Sequence, residues 1–314
     1  MIKYRCRGCL GGEKQICFSE AESKGWIERG RAMTPCPLCK GFYRAEIVRV
    51  RDGDDSNPMV VGDSSVVSFG DAQKIAAANE SDAPQRISSG MPGIDYVLGG
   101  GIKTRSALLI CGDEGAGKST LIIEMFRLLA QRKIKTLYIN AEQGRDALCE
   151  QHERLGQLDD KYQLLLCESR WPRILSALER EDPAVAAIDS LHAVEEVEDE
   201  EGNLYSTGHE SAIGRLGRDI KKYVDETRCA MFAVGHLNND GSMAGGRLLR
   251  YMLDGKLRFR RGRNLQDPTR YFETDGKLRH GRDGRRCKMK MLDSGLVDCG
   301  PLPYGHDDEQ TEIA

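Results

Sequence analysis

Apolar residues between positions 106 and 190 occur in two patterns. Ser106–Cys111 (SALLIC) and Ala184–Ser190 (AVAAIDS) are short, nearly continuous apolar runs, as expected of strands buried on both faces of a parallel sheet. Lys135–Gly144 (KTLYINAEQG) reads as a further strand that ends in a carboxylate. Between the first two strands, Ser119–Lys133 (STLIIEMFRLLAQRK) spaces its apolar residues at helical intervals. Buried strands alternating with an amphipathic helix predict an α/β fold around a parallel sheet. Outside this region the pattern weakens. Residues 51–85 are rich in Asp, Ser, Gly, Asn and Ala and read as a linker with one short strand at Val66–Phe69. The pattern divides the chain into a front segment 1–45, a linker 46–85, an α/β domain 86–304 and a tail 305–314.

A chain of 314 residues with 39% hydrophobic residues is long enough for one large α/β domain and a small second unit. Its net charge of -3 names no partner. No apolar run approaches the ~18 residues of a membrane span, and the N-terminal MIKYRCRGC lacks the apolar core of a secretory signal. The expected setting is soluble and cytoplasmic, with no membrane partner. Eleven cysteines then suggest reduced thiols and a metal rather than disulfides. Cys6 and Cys9, then Cys36 and Cys39, form two C-x-x-C knuckles with 26 residues between them. Two such knuckles supply a tetrahedral thiolate shell for Zn2+, structural because no open position remains. The spacer is long for a zinc ribbon, so a loop or helix is expected near Ser19–Gly30, and Cys17 is a competing ligand. Four reduced cysteines in a loop-rich segment are the plainer alternative.

The strongest motif joins the first strand to the helix. Gly112, Asp113, Glu114, Gly115, Ala116, Gly117, Lys118 and Ser119, followed by Thr120, fit G-x-x-x-x-G-K-[ST], a phosphate-binding loop. Backbone N–H groups from Gly115 to Ser119 and the helix N-terminus suit phosphate oxygens; Lys118 suits the β and γ positions, and Ser119 suits Mg2+. Asp189 and Glu142 each end a strand, where ligands bind in open α/β sheets. Asp189 suits the magnesium shell and Glu142 the base that orients attacking water, although each is also compatible with a solvated strand-end carboxylate. The chain has no N-K-x-D segment, which argues against GTP, and no segment proposes the acceptor pocket and lid of a small-molecule kinase.

Arg86–Ile102 (RISSGMPGIDYVLGGGI), GDEGAGKST, LYINAEQG, AIDSLHAV, FAVGHLNNDG and MAGGRLLRYMLD follow one another as in the RecA superfamily and most closely resemble the bacterial RadA family. The four-cysteine knuckles before the core strengthen that choice. The resemblance implies a RecA-like P-loop NTPase core carrying an N-terminal zinc ribbon. It also implies a DNA-stimulated ATPase that forms a hexameric ring on single-stranded or branched DNA and promotes branch migration in recombinational repair. Glu142 matches the catalytic glutamate, Asp189 the magnesium aspartate, and His236 the polar residue that senses the γ-phosphate, unless it is simply a satisfied core histidine. Lys277–Gly281 (KLRHG) lies where RadA proteins have K-N-R-F-G, departing at Leu278 and His280. Lys277 and Arg279 would then reach a neighbouring protomer's nucleotide, the alternative being a solvated basic loop. A Lon-protease-like domain follows the core in RadA and is not expected after residue 304 here, which bears on ring stability.

Charge distribution refines the partner. Residues 244–290 hold 15 Lys or Arg against 5 Asp or Glu, suited to a nucleic-acid backbone, with Arg247 and Arg250 as the expected DNA contacts. Glu195–Glu201 places six acids in seven residues and reads as a solvated loop. Two other readings remain, a KaiC-like regulatory ATPase that binds protein partners and an adaptor or loader for a replication helicase or recombinase.

Overall fold

The structure is a computed structural model that describes five strands between residues 2 and 49, and residues 85–142, 144–153, 155, 161–198, 204–205, 210–236, 249, 252–262 and 266–303. The chain divides into two compact units, Met1–Ala78 and Asn79–Ala314.

In the first unit, β1 (Ile2–Cys6) pairs antiparallel with β2 (Gln15–Cys17) and with β5 (Ala45–Arg49), in the order β2-β1-β5. A two-residue pairing of β3 (Ile27–Glu28) with β4 (Arg31–Ala32) stands in the long spacer between the knuckles, where a loop or helix was expected. Cys6 closes β1 opposite Ala45. Cys9, Cys36, Cys39 and the expected strand at 66–69 lie outside the described residues.

The second unit is built on a nine-stranded sheet among the described residues. Its first part is parallel: β8 (Ala107–Gly112), β9 (Thr136–Asn140), β10 (Gln163–Cys167), β11 (Val185–Asp189) and β14 (Ala230–His236) lie in the order β10-β9-β11-β14-β8. β8, β9 and β11 are buried along their whole length, as the apolar runs at their centres require. Beyond β8 the sheet continues through β15 (Gly255–Arg261), parallel to β8, and then antiparallel through β16 (Thr269–Leu278), β17 (Arg286–Leu292) and β18 (Gly295–Leu302). A short antiparallel pair, β6 (Arg86–Ile87) with β7 (Ile102–Lys103), and a further pair, β12 (Val197–Glu198) with β13 (Leu204–Tyr205), complete the strands.

Side chains alternate across β8. Leu108 and Ile110 join a core with α1 (Pro92–Leu98) and α2 (Lys118–Gln131), whereas Ala107 and Leu109 join a core with α4 (Trp171–Glu181) and α5 (Glu210–Glu226). Between them in sequence, α3 (Arg145–Glu153) follows β9. In α4 the buried Trp171, Ile174, Ala177 and Leu178 recur at helical spacing. Each fully buried aliphatic side chain contributes roughly 1.5–3 kcal/mol, so both faces hold the sheet in place. None of the described helices is long and apolar enough to cross a membrane.

The antiparallel extension was the least legible part of the sequence. In β15, Leu257 and Phe259 are buried while Lys256, Arg258 and Arg260 alternate with them on the other face. The cations of the basic stretch therefore stand on ordered strands with a period of two.

The junction between β8 and β15 is close. A Cβ added at Gly112 would collide with the backbone carbonyl of Phe259. Gly112→Ala is expected to destabilise the protein by about 1–3 kcal/mol, the usual range for overpacking, measured by urea unfolding. Unchanged stability would show that the two strands can separate freely.

Candidate active site

The site forms at the carboxyl ends of β8, β9, β11 and β14, because strands buried on both faces can present polar groups only where they end. β8 runs into the phosphate loop, and α2 starts directly after it at Lys118. Gly115 and Gly117 hold φ of 65° and 101°, a region that other residues adopt only under strain. No side chain caps the α2 N-terminus, so its first-turn N–H groups point toward the loop without a side-chain acceptor.

Lys118 is 5% exposed and donates from Nζ to the carbonyls of Gly112 at 2.8 Å and Asp113 at 2.9 Å. Burial pushes its pKa below the usual lysine value, and the negative charge of Asp189 opposes that shift. A desolvated ammonium held by two neutral carbonyls suits a phosphate anion, which meets the chemical requirement of a nucleoside triphosphate. Asp113, Glu114 and Gly115 are exposed, whereas Ala116 and Thr120 are buried.

Asp189 at the end of β11 is 5% exposed. Its Oδ2 accepts the Ser119 hydroxyl at 2.5 Å and the Tyr138 hydroxyl at 2.6 Å. Ser119 and Asp189 thus offer adjacent hard oxygens, the donor type that Mg2+ takes beside phosphate. Glu142, just past β9, accepts the Ser190 hydroxyl and lies 3.0 Å from His236 Nε2 at the end of β14. The His236 hydrogen bond holds the Glu142 carboxyl down at about 2, helped by Ser190. The same bond raises the His236 pKa. Glu142 is therefore ionised throughout the neutral range, and its partly exposed carboxylate is suited to orient water.

The structure brings Lys118, Ser119, Asp189, Glu142 and His236 together, but not Lys277 and Arg279. These lie near Leu278, which pairs with Gly255, and Gly255 in turn pairs with Leu108 near the start of β8. The nucleotide loop is at the other end of β8, roughly 15–20 Å away at the rise of an extended strand. Within one protomer KLRHG stays remote from its own loop. Arg247 and Arg250 lie outside the described residues, as do residues 199–201 of the acidic run. Among the described residues no cluster of three or more His, Cys, Asp or Glu is arranged for a metal.

Sequence reading missed four residues at the site. Tyr138 and Ser190 hold the two carboxylates. Arg261 donates to the Gly115 carbonyl at 2.6 Å, and buried Arg270 donates from Nε to the Ala116 carbonyl at 2.9 Å. Arg270 had a sequence signal, since it shares the core face of β16 with Phe272, where a cation needs a partner.

Residues 87–297 match the family described as ATPase: KaiC. DNA repair protein RadA from Halalkalibacterium halodurans is 29% identical over 91% of this chain and 61% of its own length. RadA from Escherichia coli is 29% identical over 70% of this chain and 46% of its own, and RadA from Helicobacter pylori is 31% identical over 70% and 48%. The chain thus spans about half the length of the curated relatives it matches, from 46% to 61% in these three. A crystal structure of a KaiC-like protein from Pyrococcus horikoshii superposes with a TM-score of 0.55 at 16% identity, covering 70% of this chain and 100% of the other, a likeness of fold.

The His236 contact makes a pH prediction. Losing it in His236→Ala lets the Glu142 pKa rise toward the ordinary carboxylate value, so the acidic limb of the ATP turnover profile should move up by about 1–2 pH units. An unmoved acidic limb would separate His236 from the electrostatics of Glu142.

Proposed function

The chain belongs to the KaiC family of ATPases, and from that premise we propose that it is a DNA-dependent ATPase of RadA type acting in recombinational repair. The observation that carries the reading is the meeting of Ser119 with Asp189 beside the buried Lys118, with Glu142 and His236 at the adjacent strand tips. ATP with Mg2+ supplies the phosphoanhydride bond and the charge that the loop is built to hold. Lys118 and the loop N–H groups bind phosphate oxygens; Ser119 and Asp189 hold the metal; Glu142 orients water; His236 senses the γ-phosphate through Glu142.

The remoteness of Lys277 and Arg279 from their own loop favours their acting on a neighbour's nucleotide, hence a homo-oligomer and by family likeness a hexameric ring. The Lys- and Arg-rich strands favour a single-stranded or branched DNA partner gripped by charge, with Arg247 and Arg250 as proposed DNA contacts. RadA relatives are named as DNA repair proteins, which supports the assignment to that process. The family match also supports a KaiC-like regulator or helicase adaptor that uses the same site without DNA. Cys6, Cys9, Cys36 and Cys39 are assigned to one structural Zn2+ on their spacing alone.

Single-stranded DNA is expected to stimulate ATP turnover, with an effect that falls steeply as salt rises from 50 to 200 mM, as phosphate contacts require. Glu142→Gln should bind ATP normally and lose turnover about 10²–10⁴-fold. Turnover indifferent to DNA, with Glu142→Gln still inactive, would favour the regulatory reading. Normal turnover in that variant would leave the water without its base.

Elemental analysis of protein purified without chelator should find one zinc per chain, lost in Cys36→Ser. Metal-free protein with an intact first unit would remove the zinc assignment.

A further inference from the structure

At the end of the sheet remote from the nucleotide loop, one carboxylate gathers donors from several elements. Asp254, immediately before β15, is 1% exposed. Its Oδ2 accepts the Ala107 N–H at 3.0 Å and Lys221 Nζ at 3.1 Å, and its Oδ1 accepts Arg279 Nη1 at 3.2 Å. The backbone of the same residue closes the bracket. Its N–H donates to the Ala107 carbonyl at 2.8 Å, and its carbonyl accepts the Arg279 N–H at 2.8 Å. Lys277 Nζ donates to the neighbouring Leu253 carbonyl at 2.9 Å. His280 brings Nε2 to 3.8 Å from Asp254 Oδ1, while its Nδ1 faces Lys103 Nζ at 3.0 Å.

Asp254 therefore ties together the first residue of β8, helix α5 through Lys221, and the end of β16 with the turn after it, which carry Lys277 and Arg279. Lys103, Lys221, Lys277 and Arg279 crowd around this carboxylate, and Asp225 adds the second carboxylate, taking Lys221 at 2.6 Å. Such crowding is costly. Burial first, then neighbouring arginine charge, lowers the pKa of Lys103 and of Lys277. The Arg279 side chain is 46% exposed, so it is anchored at one edge while it also reaches the surface.

We propose that Asp254 is the positioning residue that aims Arg279 at a neighbouring protomer's nucleotide and fastens that aim to the root of β8. β8 ends in the protomer's own phosphate loop, so the site a protomer builds and the finger it offers are fixed to opposite ends of one strand. A guanidinium suits this arrangement because it can give one N–H to a carboxylate while its other nitrogens carry donors in fixed directions, which an ammonium point charge does not. The inference rests on the reading of Arg279 as an intersubunit finger.

The test uses the full chain with ATP, Mg2+ and single-stranded DNA. Asp254→Asn is expected to lower kcat at least tenfold while KM for ATP stays within a few-fold, the pattern of a group that acts in the transition state. Mixing it with Glu142→Gln chains should restore part of the turnover, because an intact Glu142 site then faces an intact finger. A protomer damaged only in its folding gives no such rescue. Arg279→Ala, assayed and mixed in the same way, is the reference. Impaired Arg279→Ala beside normal Asp254→Asn would overturn the role of Asp254 and keep the finger. Normal Arg279→Ala would overturn both. Rescue by Arg279→Ala without rescue by Asp254→Asn in co-assembled mixtures would make Asp254 merely structural. Should Asp254→Asn not fold, Arg279→Lys decides, since it leaves Asp254 in place and keeps the charge but loses the fork. At least tenfold lower kcat supports the bracket, and near-normal turnover overturns it.

Discussion

The arrangement depends on one buried carboxylate at a strand tip. Asp189 is 5% exposed and satisfied by two hydroxyls, Ser119 from the first turn of α2 and Tyr138 from β9. A buried carboxylate without partners is expensive, so these bonds fix the phosphate-loop helix, β9 and β11 at one point. The backbone adds to this lock, since the Ala141 N–H donates to the Asp189 carbonyl at 2.8 Å and carries the chain across to Glu142. Ser190, next in sequence, then reaches Glu142, and His236 reaches it from β14. The carboxylates proposed for metal and for water are thereby set side by side.

Strands β15 and β16 brace this site from the other side. Phe259 approaches the backbone of Gly112 so closely that no side chain fits there. Arg261 and Arg270 take up carbonyls of the loop and so tie it to β15 and β16. The basic stretch is thus in part structural, with some of its cations spent on the loop and on Asp254 and others, such as Lys290, exposed on a strand. Net charge over a segment describes a field, whereas alternation within the segment decides which cations can meet a partner.

The parallel half of the fold was legible because Leu108–Cys111, Leu137–Ile139 and Val185–Ile188 are apolar without interruption, a pattern that only a doubly covered strand requires. The loop motif, Asp189 and Glu142 were legible for a related reason, since each lies at or within three residues of the end of such a run. Tyr138 was hidden among apolar neighbours and looked like core. Arg261 and Arg270 were hidden by their charge, which averaged into the basic stretch instead of being read against Phe259 and Phe272. Asp254 gave no local signal, because its partners Ala107, Lys221 and Arg279 lie far away in sequence and meet only once the sheet forms.

The loop around Lys118 is expected to bind ATP with magnesium held by Ser119 and Asp189. Calorimetric titration of ATP into the purified chain, with and without Mg2+, tests it most directly when repeated on Lys118→Ala and Asp189→Asn. Lys118→Ala is expected to lose binding, and Asp189→Asn to bind ATP with an affinity that no longer responds to Mg2+. Undiminished binding by Lys118→Ala, or full magnesium dependence in Asp189→Asn, would contradict it.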